Sequence, residues 1–172
     1  MNISNYFLFI ILFATSCRSQ TLPEHLRTSY EPLNERLASM VTIDDYSIPP
    51  AEVQNLTNPI LLDARELEEY EVSHIPDAQH IGYRNPNFDL LDDLNKDRPV
   101  VVYCTIGYRS ERVARQLRDR GFSEVYNLYG SVYAWLLAGL NLQTLDGEVT
   151  QKVHAYNRRW ATYLPDNFEK VY

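Results

Sequence analysis

Val100-Val101-Val102-Tyr103 is an unbroken run of β-branched and aromatic residues with no polar alternation. A strand with one face in water alternates; a strand buried on both faces does not, and such strands belong to parallel sheets covered by helices. This run places the chain in the α/β class. The flanking sequence agrees. Ile60-Leu61-Leu62 is a short apolar strand ending at Asp63, 65–71 reads as a short helix, 78–81 as another strand, and Val125-Tyr126-Asn127-Leu128 as a further one. Leu90, Leu91 and Leu94 share one helical face, and 131–138 reads as a helix carrying Trp135. A helix over 110–120 turns Val113, Ala114 and Leu117 to one side, with Gly121 where a C-terminal cap belongs. Strands alternating with helices predict a central parallel sheet flanked by helices.

The chain has 172 residues, 45% hydrophobic and 23% charged, which fits one globular domain with appendages and excludes a disordered or collagen-like chain. A chain of this length buries enough surface to fold without metals or disulfides. Its net charge of −7 argues against a nucleic-acid binder, which needs a basic footprint. Arg112, Arg115 and Arg118 fall at helical spacing and read as a solvated face.

The chemistry concentrates just after the Val100–Tyr103 run, in Cys104-Thr105-Ile106-Gly107-Tyr108-Arg109-Ser110. Cys104 stands at the carboxyl end of a buried strand, where open α/β sheets place ligands. A loop curling over a helix N-terminus turns backbone N–H groups inward and makes an anion cradle. Such a setting lowers a thiol pKa below the free value of about 8.5. Gly107 permits a tight loop with positive φ, and Arg109 adds charge at the rim. A lone cysteine at a strand end also fits a small buried hydrophobe. The Cys-x-x-x-x-Arg-Ser spacing on a strand-to-helix turn favours the reactive reading.

Several segments resemble the rhodanese-like sulfurtransferase family. Leu61-Leu62-Asp63-Ala64-Arg65-Glu66 is similar to its strand ending in Asp-x-Arg. Glu69-Tyr70 and then His74-Ile75-Pro76-Asp77-Ala78-Gln79-His80-Ile81 resemble its next segment. Tyr103 to Ser110 is similar to its active-site loop, and Gly121-Phe122, Val125 to Leu128, Gly130, Trp135 and Ala138-Gly139 resemble its closing segment. The resemblance covers residues 46–142. Two departures, Ser131 where a second Gly is frequent and Asp77 where Gly usually follows Pro, fall at positions expected not to touch the chemistry.

The resemblance implies a rhodanese-like fold and a persulfide mechanism. Cys104 would take sulfane sulfur from thiosulfate or a persulfide donor and pass it to a thiol-type acceptor. The backbone amides of Thr105, Ile106, Gly107, Tyr108, Arg109 and Ser110 would hold the thiolate and persulfide anions at the substrate site, and Arg109 would fix the loop and help bind an anionic donor. Asp63 and Arg65 would support the site from the neighbouring strand end, or serve as a purely structural ion pair. The resemblance also implies that loop size separates enzyme classes: six residues from cysteine to arginine in sulfurtransferases, seven in related phosphatases and arsenate reductases. Cys104 to Arg109 is six. An oxyanion enzyme of that kind is the alternative, as is a non-catalytic binding module. No cofactor is implied, and His74 and His80 lack the paired spacing of a zinc site.

The N-terminus reads as an address. Tyr6-Phe7-Leu8-Phe9-Ile10-Ile11-Leu12-Phe13-Ala14 is apolar but far shorter than a bilayer span, the length of a signal-peptide core. Ala14-Thr15-Ser16-Cys17 resembles a bacterial lipoprotein signal, which implies 1–17 as a signal peptide with Cys17 lipidated, and an exported, periplasmic or cell-envelope protein anchored to a membrane. Cys104 is then the only thiol left for chemistry. Residues 18–45, with breakers Pro23 and Pro32, read mainly as a tether containing a short helix from Leu33. In the extension, 143–172, Asp146 is placed to cap a helix. Val149, Val153, Tyr156, Trp160 and Leu164 then follow steps of 4, 3, 4 and 4, predicting a C-terminal amphipathic helix. That helix would pack on the domain or offer its stripe to a protein partner.

Overall fold

The computed structural model describes residues 21–172. The first regular elements are a 3-10 turn, Glu24–Leu26, and helix α1, Glu31–Met40. Then come β1 (Ser47–Ile48), α2 (Pro50–Val53), β2 (Ile60–Asp63), α3 (Leu67–Val72), β3 (Gln79–His80), β4 (Val100–Tyr103), α4 (Tyr108–Asp119), β5 (Val125–Leu128) and α5 (Ser131–Leu137). The five strands form one parallel sheet in the order β1-β5-β4-β2-β3. β4 is therefore central, as an uninterrupted apolar strand requires, and all four of its residues are buried. Side chains alternate across a strand. Val100 and Val102 face one core with Val113, Ala114 and Leu117 of α4; Val101 and Tyr103 face a second core with α1 and α5. Gly121 adopts φ +90° just beyond α4, ending the helix as its sequence predicts. The fold is rhodanese-like α/β, with helices on both faces of the sheet.

The structure departs from the sequence reading at both flanks. Residues 21–45 are not a tether. Leu26, Leu33, Leu37 and Val41 are buried in the second core, so α1 is a wall of the domain. In the extension the helix is present but short, α6 at Arg158–Ala161. Asp146 lies in a turn, not at a cap: Val149–Thr150 (β7) folds back antiparallel on Leu142–Gln143 (β6). Val153–His154 (β8) pairs in parallel with Lys170–Val171 (β9). Asn157 starts α6, its Oδ1 accepting from the Arg159 and Trp160 amides. The predicted stripe is split by this backbone. Val153 and Leu164 are buried in the second core, while Val149 and Tyr156 are exposed. Where the sequence predicts a helical face through Leu90, Leu91 and Leu94, the chain forms only a 3-10 turn, Phe88–Leu91, with Leu91 buried and Leu90 exposed. The apolar run before Cys17, and Cys17 itself, lie outside the described residues. Among the described residues no helix is long and apolar enough to cross a membrane.

Candidate active site

Cys104 follows β4 directly, and the chain turns through Thr105, Ile106 and Gly107 into α4. Gly107, at φ +114°, is the residue before the helix; a Cβ there would meet the Val41 side chain at 3.4 Å. That contact is an ordinary van der Waals distance, so the positive φ is what accounts for glycine at this point. The loop wraps the sulfur. The Gly107 N–H donates to Cys104 Sγ at 3.2 Å, and Ser110 Oγ lies 3.6 Å from it. Cys104, Thr105, Ile106, Gly107 and Ser110 are all buried. Cys104 is the one free cysteine among the described residues.

Burial by itself pushes the Cys104 thiol up. The Arg109 charge, the Ser110 amide and hydroxyl and the Gly107 amide outweigh it and hold the thiol below its ordinary value. The helix N-terminus behind the loop acts in the same direction.

Four residues of β5 and α5 fix the loop. On β5, Asn127 accepts from Ser110 Oγ at 2.7 Å and donates through Nδ2 to the Gly107 carbonyl at 3.1 Å. Ser131 Oγ accepts the Cys104 N–H at 3.0 Å and donates to the Leu128 carbonyl at 3.1 Å. The Val132 and Tyr133 amides, in the first turn of α5, donate to the Cys104 and Thr105 carbonyls, satisfying donors a helix start leaves open. Ser131 was expected to stand clear of the chemistry. It instead sits behind the reactive residue, because the loop after β5 runs beside the loop after β4.

Arg109 is not a free rim charge. Its guanidinium makes a two-pronged pair with Glu69, 2.6 Å from Nη1 to Oε2 and 2.7 Å from Nη2 to Oε1, and Nη2 also donates to Thr105 Oγ1 at 2.9 Å. Thr105 Oγ1 in turn donates to Glu69 Oε1 at 3.1 Å. Glu69 also accepts the Glu66 N–H at 3.1 Å, anchoring the start of α3. Burial pushes the Glu69 carboxyl up, but the Arg109 hydrogen bonds and charge, with Arg65 helping, hold it below the ordinary range. The resemblance marks Glu69 only as part of a segment. Its tie to Arg109 spans 40 residues of chain and has no local sequence signal beyond its capping position.

Asp63 and Arg65 form a wholly buried pair, Nη2 to Oδ2 2.6 Å, and Arg65 also donates to the Ser73 carbonyl at 2.6 Å. Their bonds go to each other and to the chain around Ser73, so they brace the strand ends rather than meet the sulfur. His80 Nε2 bonds the Arg65 carbonyl, and His74 bonds the Tyr70 carbonyl and Gln143.

Above the sulfur opens a cleft of about 310 Å³, lined by Cys104, Thr105 and Arg109 below and by Met40, Tyr83, Ile106, Tyr108, Tyr156 and Trp160 around it.

Comparison with known proteins matches residues 50–138 to the rhodanese-like domain family. The chain is 36% identical over 76 residues to thiosulfate sulfurtransferase GlpE of Coxiella burnetii, covering 44% of this chain and 70% of that one. Among solved structures it is similar to the BH2092 protein of Bacillus halodurans, at 24% identity and TM-score 0.52 over 58% of this chain and 77% of that one, a likeness of fold. It is also similar to a thiosulfate sulfurtransferase of Pseudomonas aeruginosa, at 26% identity and TM-score 0.51, over 59% of this chain and 20% of that one.

Proposed function

The chain belongs to the rhodanese-like domain family, and from that premise we propose that it is a sulfurtransferase working through a persulfide on Cys104. The observation that carries the reading is the sulfur itself: a buried thiol at a strand end, held below its ordinary pKa by Arg109, by the Gly107 and Ser110 N–H groups and by the Ser110 hydroxyl, and bordering a cleft. With thiosulfate as donor, the Cys104 thiolate attacks the outer sulfane sulfur. The new bond is Cys104 Sγ–S. The S–S bond of thiosulfate breaks, and its electron pair leaves with sulfite. An acceptor thiolate then attacks the outer sulfur of the persulfide and returns Cys104 as thiolate. Each state of the sulfur is anionic, so N–H groups already aimed at it stabilise thiolate and persulfide without reorganising. Ser131 and Asn127 hold that arrangement, and the Glu69–Arg109 pair closes the loop against α3.

Intact-mass measurement after incubation with thiosulfate tests the reading. Wild type gains the mass of one sulfur atom at Cys104, and Cys104→Ser gains none, since a serine hydroxyl stays protonated and cannot carry sulfane sulfur. Equal transfer by both would refute the mechanism. Turnover of phosphate esters without persulfide formation would assign the loop to oxyanion chemistry instead.

We further propose, from the sequence alone, that the protein lies outside the cytoplasm, anchored to a membrane through a lipid on Cys17. Its support is the apolar run followed by Ala14-Thr15-Ser16-Cys17. One acyl chain holds a protein to a membrane only marginally, so stable anchoring would need more than one.

A further inference from the structure

Resting on the sulfur-transfer reading, we infer that the cleft over Cys104 selects sulfane-sulfur donors carrying an apolar organic group over inorganic thiosulfate, and that Tyr156 and Trp160 set this preference.

The first ground is charge. Thiosulfate is a compact dianion. The cleft's one cation among the described residues is Arg109, and its guanidinium is spent on both oxygens of Glu69. Thr105, the hydroxyl beside it, is engaged by the same pair. The floor thus offers the sulfur N–H groups for one negative charge but no free cation for a second.

The second ground is the wall. Above that floor the surface is aromatic and aliphatic, and the volume of about 310 Å³ suits a small organic molecule. Apolar walls with a few polar groups at one end bind a molecule that is anionic at one end and apolar at the other.

The third ground is where the wall comes from. Met40, Tyr156 and Trp160 lie outside the matched family segment, 50–138. The two aromatics are supplied by the β8–α6 segment, and both are held in place. Trp160 lies with its ring 5.0 Å from the Arg36 guanidinium carbon and 5.6 Å from the Tyr163 ring. Tyr156 has φ +65°, a left-handed conformation unusual for so bulky a side chain. Its N–H donates to His154 Nδ1 at 3.1 Å, and its ring stands 5.1 Å from the Arg109 guanidinium carbon. A strained backbone that holds a half-exposed aromatic over the reacting end of a cleft is the kind of strain that persists at binding sites. Preset walls also reduce the ordering cost of binding.

For a thiosulfonate donor the step is balanced as for thiosulfate. The Cys104 thiolate attacks the terminal sulfur, the bond between that sulfur and the sulfonyl sulfur breaks, and its electron pair leaves as an organic sulfinate. Between the two thiosulfonates only the organic group changes; thiosulfate differs from both in carrying a second negative charge in its place.

Persulfide formation on the full chain, measured by rapid quench and intact mass, tests this with three probes: benzenethiosulfonate, methanethiosulfonate and thiosulfate. The expected result is a kcat/KM for the phenyl donor about tenfold or more above both others, on the scale of hydrophobic-pocket discrimination. Tyr156→Gly and Trp160→Ala should collapse the phenyl-to-methyl ratio toward one, while Tyr156→Phe keeps it. A merely structural role would slow both thiosulfonates together and leave the ratio unchanged. Tyr156→Gly relieves the positive φ, so it should fold at least as well as wild type. Equal rates for the phenyl and methyl donors, a faster rate with thiosulfate, or a ratio unaltered by Tyr156→Gly would overturn the inference. Absence of persulfide with every donor would overturn the sulfur-transfer reading itself and the donor preference with it.

Discussion

Glu69→Ala should damage this protein more than any surface carboxylate would. Its side chain is 2% exposed and its partner Arg109 is 13% exposed. Removing one member of a buried pair leaves the other charge uncompensated, at a cost of about 3–5 kcal/mol. Arg109 borders the cleft and can turn toward water, so we expect the low end. A loss of about 3 kcal/mol corresponds to a fall in melting temperature of roughly 6–12 °C in a protein of this size. Glu69→Gln keeps the shape and one acceptor, and should cost less. In a cycle with Arg109→Ala, the double variant should be more stable than the summed single losses predict, by about 1–3 kcal/mol. Thermal and urea melts of the four proteins measure this directly. The contribution also carries a pH signature. The native Glu69 pKa lies below its ordinary value, so the stabilisation is complete above the unfolded value of about 4.3 and fades as pH falls through the lowered native one. A Glu69→Ala protein melting within error of wild type, with an additive cycle, would refute the view that this pair closes the loop.

Other outcomes follow from the same geometry. Because the thiolate is the reactive form and its pKa is lowered, the rate of persulfide formation should rise with pH and level off below the free-thiol value of about 8.5. Arg109→Met should shift that limb to higher pH, since it removes the leading charge that favours the thiolate; an unmoved limb would show the cation does not act on the sulfur. Leu37→Ala should cost about 2–5 kcal/mol in chemical denaturation because α1 is part of the core, whereas exposed Leu90→Ala should cost little; equal small losses would return α1 to the status of a tether. Cys17→Ser should move the protein from the membrane to the soluble fraction; a mature N-terminus beyond Cys17 with no lipid mass would refute the anchor.

What the sequence alone determined is local in the chain. The Val100–Tyr103 run, the glycine at 107 and the amphipathic helix behind it are contiguous, so the strand–loop–helix around Cys104 could be read from periodicity and turn chemistry, and the resemblance pointed to sulfur transfer. Tertiary structure decided what the loop touches. Glu69 meets Arg109 across 40 residues and Ser131 meets the Cys104 amide across 27, because parallel strands bring the segments that follow them to the same, carboxyl end of the sheet. The flanks failed for a related reason. A period of apolar residues says which side chains seek burial, not which backbone will pair with them. Val153 was buried as its pattern demands, but in a strand, because residues 170–171 offered its neighbours hydrogen bonds that an isolated helix would have had to make alone. Leu33 and Leu37 likewise had a helical spacing but no visible destination until the sheet face carrying Val101 and Tyr103 supplied one.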